Sequence, residues 1–180
     1  MNFISPLYKA ALISRTANVL ADACLENGQI VTAYCPNDTR LKGLDAPQSE
    51  IWLAFDGARD KRLCYRWELV RTGGALVGID LDIHTALVLE AVNNGVLYEL
   101  SGYADVQPAA DDTALDLRMI PADSRYPECF AAIAPVYVKS GVDLLYPDAV
   151  YIANRHVLNG LEAVLERGGR AVLLLIAQRI

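Results

Sequence analysis

Along this chain the spacing of apolar residues changes once, near residue 80. Before that point they fall in short runs of five to eight positions, at residues 7–14, 19–25, 29–35, 51–55, 63–70 and 75–79. Runs of this length, bounded by turn residues, predict β-strands. Asn27-Gly28 separates the second run from the third. It predicts a tight hairpin, because both residue types tolerate positive φ. The polar stretch Asp56-Gly57-Ala58-Arg59-Asp60-Lys61 and the Thr72-Gly73-Gly74 turn divide the later runs. Five or six closely spaced strands predict a small closed or partly closed barrel.

From Asp80 onward Leu81, His84 or Thr85, Val88 and Val92 recur at helical spacing, and Asn93-Asn94-Gly95 supplies the stop. A linker, Val106-Gln107-Pro108-Ala109-Ala110-Asp111-Asp112, is expected next, then strands over 114–120 and 129–138. A second helix is predicted to begin near Pro147-Asp148, with an apolar stripe at Val150, Ala153, Val157, Leu161 and Val164, and to end at Gly168-Gly169. The final run, 170–177, is apolar on both faces and predicts a strand inside a sheet covered by helices on both sides. The pattern therefore divides the chain into an all-β part, 1–80, and an α/β part, 81–180.

Composition narrows the class. With 53% hydrophobic and 21% charged residues in 180, the chain has the balance of a folded protein. Residues 171–177, the longest apolar run, fall far short of the ~20 needed to cross a bilayer. Pro6 and Lys9 interrupt the apolar start, so no secretion leader is expected and the predicted location is cytoplasmic. Cys24, Cys35, Cys64 and Cys129 contain no Cys-x-x-Cys pair, and only His84 and His156 accompany them, so no zinc site is predicted. Neither histidine has a neighbouring nucleophile or acid that suggests catalysis. The net charge of −6 is unevenly spread. Up to Asp80 nine Lys/Arg balance nine Asp/Glu; beyond it seven face thirteen, so 7 − 13 = −6 belongs entirely to the second part. A surface that grips phosphates is expected to be basic, and the second part lacks that footprint.

Several phrases recur in one order from end to end: Cys35-Pro36-Asn37, Gly43, Trp67-Glu68-Leu69, Glu99-Leu100-Ser101-Gly102-Tyr103 and Tyr146-Pro147-Asp148-Ala149-Val150. Together with Leu20-Ala21-Asp22 and Arg170-Ala171-Val172 they resemble the sugar fermentation stimulation protein A family over nearly the whole chain. The resemblance implies an N-terminal OB-like β-barrel followed by a PD-(D/E)xK restriction-endonuclease-like α/β domain, in a protein that binds DNA.

A nuclease of that type needs an Asp at the start of one strand and Glu-x-Lys on the next, so that two carboxylates hold Mg²⁺ and the Lys orients or activates the attacking water. By the resemblance Asp116 matches the first ligand. The family's Cys-aromatic-apolar-Glu-Val-Lys-Ser-Val strand corresponds to Cys129-Phe130-Ala131-Ala132-Ile133-Ala134-Pro135-Val136, so Ala132 replaces the Glu and Ala134 the Lys. In the following helix Ile152 stands in place of a further polar residue. A methyl group cannot coordinate a metal, and one carboxylate holds Mg²⁺ poorly. Pro135 also removes a ladder donor, which predicts a bulge or an edge position.

These substitutions lead to an expected family member without catalysis and without a metal cofactor, Mg²⁺ being required only if some cleavage survives. Weak nucleic-acid binding is expected through Arg15, Arg40, Lys42, Arg59, Lys61, Arg62, Arg66 and Arg71, with Tyr34, Tyr65 and Trp67 as stacking partners. The alternative is a module that binds a protein or small ligand in the emptied cleft. An active nuclease with a rebuilt site ranks third. No membrane partner is expected.

Overall fold

In the computed structural model, which describes residues 3, 5–38, 41, 43–57, 63–110, 114–140, 143–145 and 152–177, the all-β part begins with β1 (Leu7–Thr16), β2 (Leu20–Leu25), β3 (Ile30–Tyr34), β4 (Glu50–Phe55), β5 (Tyr65–Thr72) and β6 (Ala75–Gly78). They hydrogen-bond in the order β3-β2-β1-β4-β5-β6, and an added parallel pairing of β3 with β5 closes the first five into a barrel. Alternation sorts the side chains. Ala10, Leu12, Ala21, Ala23, Val31, Ala33, Ile51, Leu53, Trp67, Val70 and Val77 form one buried cluster inside. Small residues on β2 and β3 let large ones from β1, β4 and β5 meet near the axis, the way a small barrel is filled.

The turns follow local chemistry, with one departure from expectation. The Gly28 N–H donates to Leu25 O at 2.9 Å and the Leu25 N–H to Gln29 O at 2.9 Å. Of the Asn27-Gly28 pair only Gly28 has positive φ, +85°. The hairpin is therefore a three-residue loop, a turn followed by a left-handed glycine, and not the tighter two-residue form. Asn27 contributes through its side chain instead, accepting the Gln29 N–H at 2.9 Å.

The remaining elements are α1 (Leu81–Asn93), a single 3₁₀ turn at Tyr98–Leu100, β7 (Tyr103–Pro108), β8 (Leu117–Pro121), β9 (Cys129–Val136), β10 (Val138–Ser140), β11 (Asp143–Leu145), α2 (Ile152–Glu166) and β12 (Arg170–Ala177). Both helices stop by the same device. Gly95 and Gly168 take left-handed φ of +67° and +77°. In each case the glycine N–H bonds back three residues and the next N–H five, Val96 to Ala91 O at 2.8 Å and Gly169 to Val164 O at 3.0 Å. That is the paired closure that glycine just past a helix end allows.

A four-stranded sheet runs β12-β9-β8-β7, with β12 parallel to β9 and the other pairs antiparallel. One face, with Leu117, Met119, Cys129, Ala131, Val172 and Leu174, packs on Val88 and Val92 of α1. The other, with Phe130, Ala132, Ala171 and Leu173, packs on Val157, Leu161 and Val164 of α2. Helices thus cover both faces as the apolar final run predicts. β12 nevertheless ends the strand order among the described residues, so its apolar character reflects two covered faces and not a central position. The expected linker is partly strand, since Val106, Gln107 and Pro108 pair with β8. Polar and proline content there suits an outermost strand, which tolerates missing ladder donors.

The chain divides into two compact units, one from its start through Ile83 with Tyr137–Leu144, the other His84–Val136 with Leu145–Ala177. Relative to a cut at residue 80, the Tyr137–Leu144 segment is the difference: Tyr137, 6% exposed, lies in the barrel's core cluster. Among the described residues no helix is long and apolar enough to cross a membrane. The four cysteines form no disulfide.

Candidate functional site

Asp116 precedes β8, where the antiparallel pairing with β9 begins. Its N–H donates to Ala131 O at 2.9 Å. Its carboxylate Oδ2 accepts the Ile133 N–H at 2.6 Å and so continues the ladder past the point where β8 backbone is available. Alternation puts the nitrogen of residue 135 on the same side as that of Ile133. β8 pairs only with residues 129–131 of β9, so the N–H that Pro135 lacks falls where β8 has no backbone to receive it. β9 nevertheless lies between β12 and β8, so Pro135 stands on an interior strand and not at the expected edge.

Ala132 points to the opposite environment. It is 1% exposed and clusters with Leu115, Leu161 and Val164, all apolar. Ala134 shares its face and is half-buried. Desolvation raises the pKa of Asp116 above the ordinary carboxylate value, and the hydrogen bond from Ile133 only partly opposes this. One carboxylate with a raised pKa, already accepting an amide and neighboured by two methyls, does not match the oxygen-rich set that Mg²⁺ requires. Among the described residues no group of three or more His, Cys, Asp and Glu is placed to hold a metal. Glu128, the nearest acid along β9's approach, is bridged to Arg118, whose Nε donates to its Oε1 at 2.6 Å. Ile152 opens α2. Residues 146–150 lie outside the described residues.

In the barrel the polar residues are held in networks. Asn37 is fully buried. Its side-chain N–H groups donate to Ile79 O at 3.3 Å and Tyr137 OH at 3.2 Å, and its own carbonyl accepts from Arg15 and from the Cys35 thiol. Burial pushes that thiol's pKa up. Arg15 also donates to Asn18 O at 2.7 Å and faces Asp45 at 3.4 Å, with its side chain only 4% exposed. Arg66 bonds Asp80 through Nε at 2.6 Å, faces Glu68 at 3.7 Å and lies 5.7 Å over the Tyr34 ring. Arg71 is the accessible member: 46% exposed, it pairs with Glu50 at 2.8 Å and covers Trp52 at 5.2 Å. Lys9 reaches the same Glu50 at 3.0 Å. Arg40, Lys42, Arg59, Lys61 and Arg62 lie outside the described residues. Trp67 is wholly buried, its indole N–H donating to Leu69 O at 2.9 Å, so it is core and has no face to offer a base.

Residues 14–79 match the family model described as the SfsA N-terminal OB domain. A sugar fermentation stimulation protein homolog from Geotalea uraniireducens is 36% identical over 177 residues, covering 97% of this chain and 75% of the relative. Another, from Geobacter metallireducens, is 34% identical over 183 residues, covering 99% and 78%. This chain belongs to the sugar fermentation stimulation protein (SfsA) family. The solved structure of Pyrococcus furiosus SfsA in complex with Ca²⁺ matches with a TM-score of 0.83 at 18% identity, over 97% of this chain and 74% of that one. An OB barrel followed by a sheet-rich α/β part is therefore the fold, and the second part agrees with the nuclease-like architecture expected from the resemblance.

Several phrases that carry the SfsA resemblance are structural supports. Asn37 ties three segments together, Trp67 fills the barrel, and Gly43 takes a φ of +73° that favours glycine. At Gly102 an added Cβ would meet the Tyr126 ring at 2.8 Å, so a larger residue there would have to displace that exposed ring. Two side chains that the strand pattern did not single out are Tyr8 and Phe55, exposed aromatics beside Tyr65. The readable signal was their inward parity at the end of a strand, which normally means burial.

Proposed function

We propose that this SfsA-family protein binds nucleic acid through its barrel and does not cleave it. The observation that carries the second half is the surroundings of Asp116, Ala132 and Ala134. A carboxylate at position 132 would have to enter the cluster of Leu115, Leu161 and Val164, and no lysine stands at 134 to act on a water. No metal cofactor is part of this reading. The Pyrococcus furiosus relative is a calcium complex. In this chain a hard divalent cation would have to be met by donors other than those at 132 and 134.

The first half is supported by the OB barrel, a fold whose loops and outer strands bind oligonucleotides, and by the distribution of charge. Arg15 and Arg66 are committed to buried networks. Phosphate contacts are therefore assigned to Arg40, Lys42, Arg59, Lys61 and Arg62, which fall between β3 and β4 or between β4 and β5, with exposed Arg71 contributing. The cytoplasm is the setting, in keeping with four cysteines and no disulfide.

Incubation with Mg²⁺ or Mn²⁺ and single- or double-stranded DNA and RNA tests the cleavage half. No product is expected, and Asp116→Ala should behave as the parent does. Cleavage that Asp116→Ala abolishes overturns it. Gel shifts at rising salt test binding, with a steep loss of affinity expected as counterion release is suppressed.

A protein partner is the second reading, and one observation favours it. Leu158 and Leu165, seven residues apart on α2, are 52% and 58% exposed. Seven residues is two helical turns, so both lie on one face. The emptied-cleft form of that reading has less support, because Ala132 is closed off beneath Leu161 and Val164. Retention on a partner that survives high salt, without nucleic-acid binding, would favour this reading.

A further inference from the structure

The inward-pointing residues of β1, β4 and β5 are buried along most of the barrel: Ala10, Leu12, Ile51, Leu53 and Trp67. One step further on each strand the same parity reaches Tyr8, Phe55 and Tyr65, and burial fails. Tyr8 is 44% and Phe55 48% exposed, while Tyr65 is partly buried against the core cluster. Phe55 lies directly opposite Tyr65 in the sheet, and Tyr8 opposite Leu53. Tyr65 packs edge-to-face with both neighbours, 5.9 Å from Tyr8 at 86° and 5.5 Å from Phe55 at 75°. Three rings at one end of the barrel are thus fixed by one another while two keep nearly half their surface in water.

We infer that Tyr8, Phe55 and Tyr65 form a stacking platform for unpaired bases of a single-stranded nucleic acid. The inference rests on the nucleic-acid reading above and gives that reading a place and a strand type. Rings already held by Tyr65 lose little rotamer freedom when a base lands on them, which favours binding. Every base has a π-face, so such a platform accepts single strands with little sequence preference, whereas a duplex keeps its bases stacked on each other. Charge favours a polyanion over a neutral ring such as a sugar. Of the nine Lys and Arg up to residue 80, Arg59, Lys61 and Arg62 fall in sequence between Phe55 and Tyr65, in the β4–β5 connection, where they exceed Asp56 and Asp60 by one charge. That connection is one of the two loops through which OB folds meet oligonucleotides.

Fluorescence anisotropy of labelled oligothymidylate with the full chain and with Tyr8→Leu and Phe55→Leu is the test, with Tyr8→Phe as control. Each leucine variant should weaken binding roughly tenfold, the loss of one base stack. Tyr8→Phe should retain affinity, and the salt dependence should stay that of the parent because no cation is removed. Thermal melts accompany each variant, and if Phe55→Leu fails to fold, Tyr8→Leu decides alone. Undiminished binding by the leucine variants overturns the platform while leaving the nucleic-acid reading intact. No binding of single or double strands by the parent overturns both. A parent that prefers duplex to single strand, or whose aromatic end takes up a neutral oligosaccharide and not oligothymidylate, also overturns the platform.

Discussion

The barrel buries charge and pairs it; the β8–β9 region of the second unit buries small apolar side chains, Ala131 and Ala132, instead. In the barrel the side chains of Arg66 and Asp80 are 12% and 5% exposed and bonded to each other, and Arg15 is 4% exposed between Asp45 and the carbonyls of Asn18 and Asn37. On β9, Ala132 is sealed among Leu115, Leu161 and Val164. A buried ion pair stands only if each member keeps its partner, because desolvation of either charge alone exceeds anything packing returns. The barrel has kept complete sets. On β9 positions 132 and 134 hold alanines, and the nearby Asp116 carboxylate accepts a backbone N–H. Residue type is therefore a poor guide to role: Arg15 and Arg66 in the barrel serve the fold, and Asp116 serves the ladder.

Three measurements break or sharpen that contrast. The largest effect is expected in the barrel. Arg66→Ala removes the guanidinium that Asp80 and Glu68 face, and should cost about 3–5 kcal/mol in denaturant unfolding. A loss below about 1 kcal/mol would mean that water already satisfies those acids and that the barrel's charges are not a buried set. Next comes Ala132→Glu, which places a carboxylate into an apolar cluster. It should lower stability by about 2–3 kcal/mol and confer no Mg²⁺-dependent cleavage, even combined with Ala134→Lys. Retained stability with gained metal binding would show that the position opens readily and that only two side chains separate this chain from a nuclease.

The smallest effect concerns Asp116. Its pKa is raised in the folded state, so the folded protein binds the proton more tightly than the unfolded chain. At pH values above the folded pKa the ionised carboxylate weighs against folding. The penalty is relieved as pH falls through that raised value, and both states are protonated below the unfolded one. Asp116→Asn keeps an oxygen for the Ile133 N–H and removes the charge. It should stabilise slightly at neutral pH, with the advantage vanishing under acid conditions, as unfolding curves at several pH values would show. An advantage that grows as pH falls would contradict the desolvation account.

Much of the architecture was determined by local pattern. Periodicity located the six strands of the first sheet, both helices and β9, since each buries one face against its neighbours and must repeat at its own period. The glycines after each helix announced its end because only a left-handed residue closes it that way. The alanines at 132 and 134 were equally legible, and the structure adds that Ala132 is sealed among apolar side chains.

Tertiary structure alone decided the rest. Segments with little pattern, β7 among them, become strands because an edge is there to pair with, and Tyr137 enters the barrel core one hundred residues after its partner Asn37. Which arginines are available was invisible in composition: Arg15 and Arg71 look alike along the chain, yet one is enclosed and the other exposed. Tyr8 and Phe55 have the parity of core residues and lie in water, because the barrel ends before it covers them. Sequence spacing carries the direction of a side chain. Whether anything waits there to meet it depends on elements far away in the chain, and that is settled only when they pack.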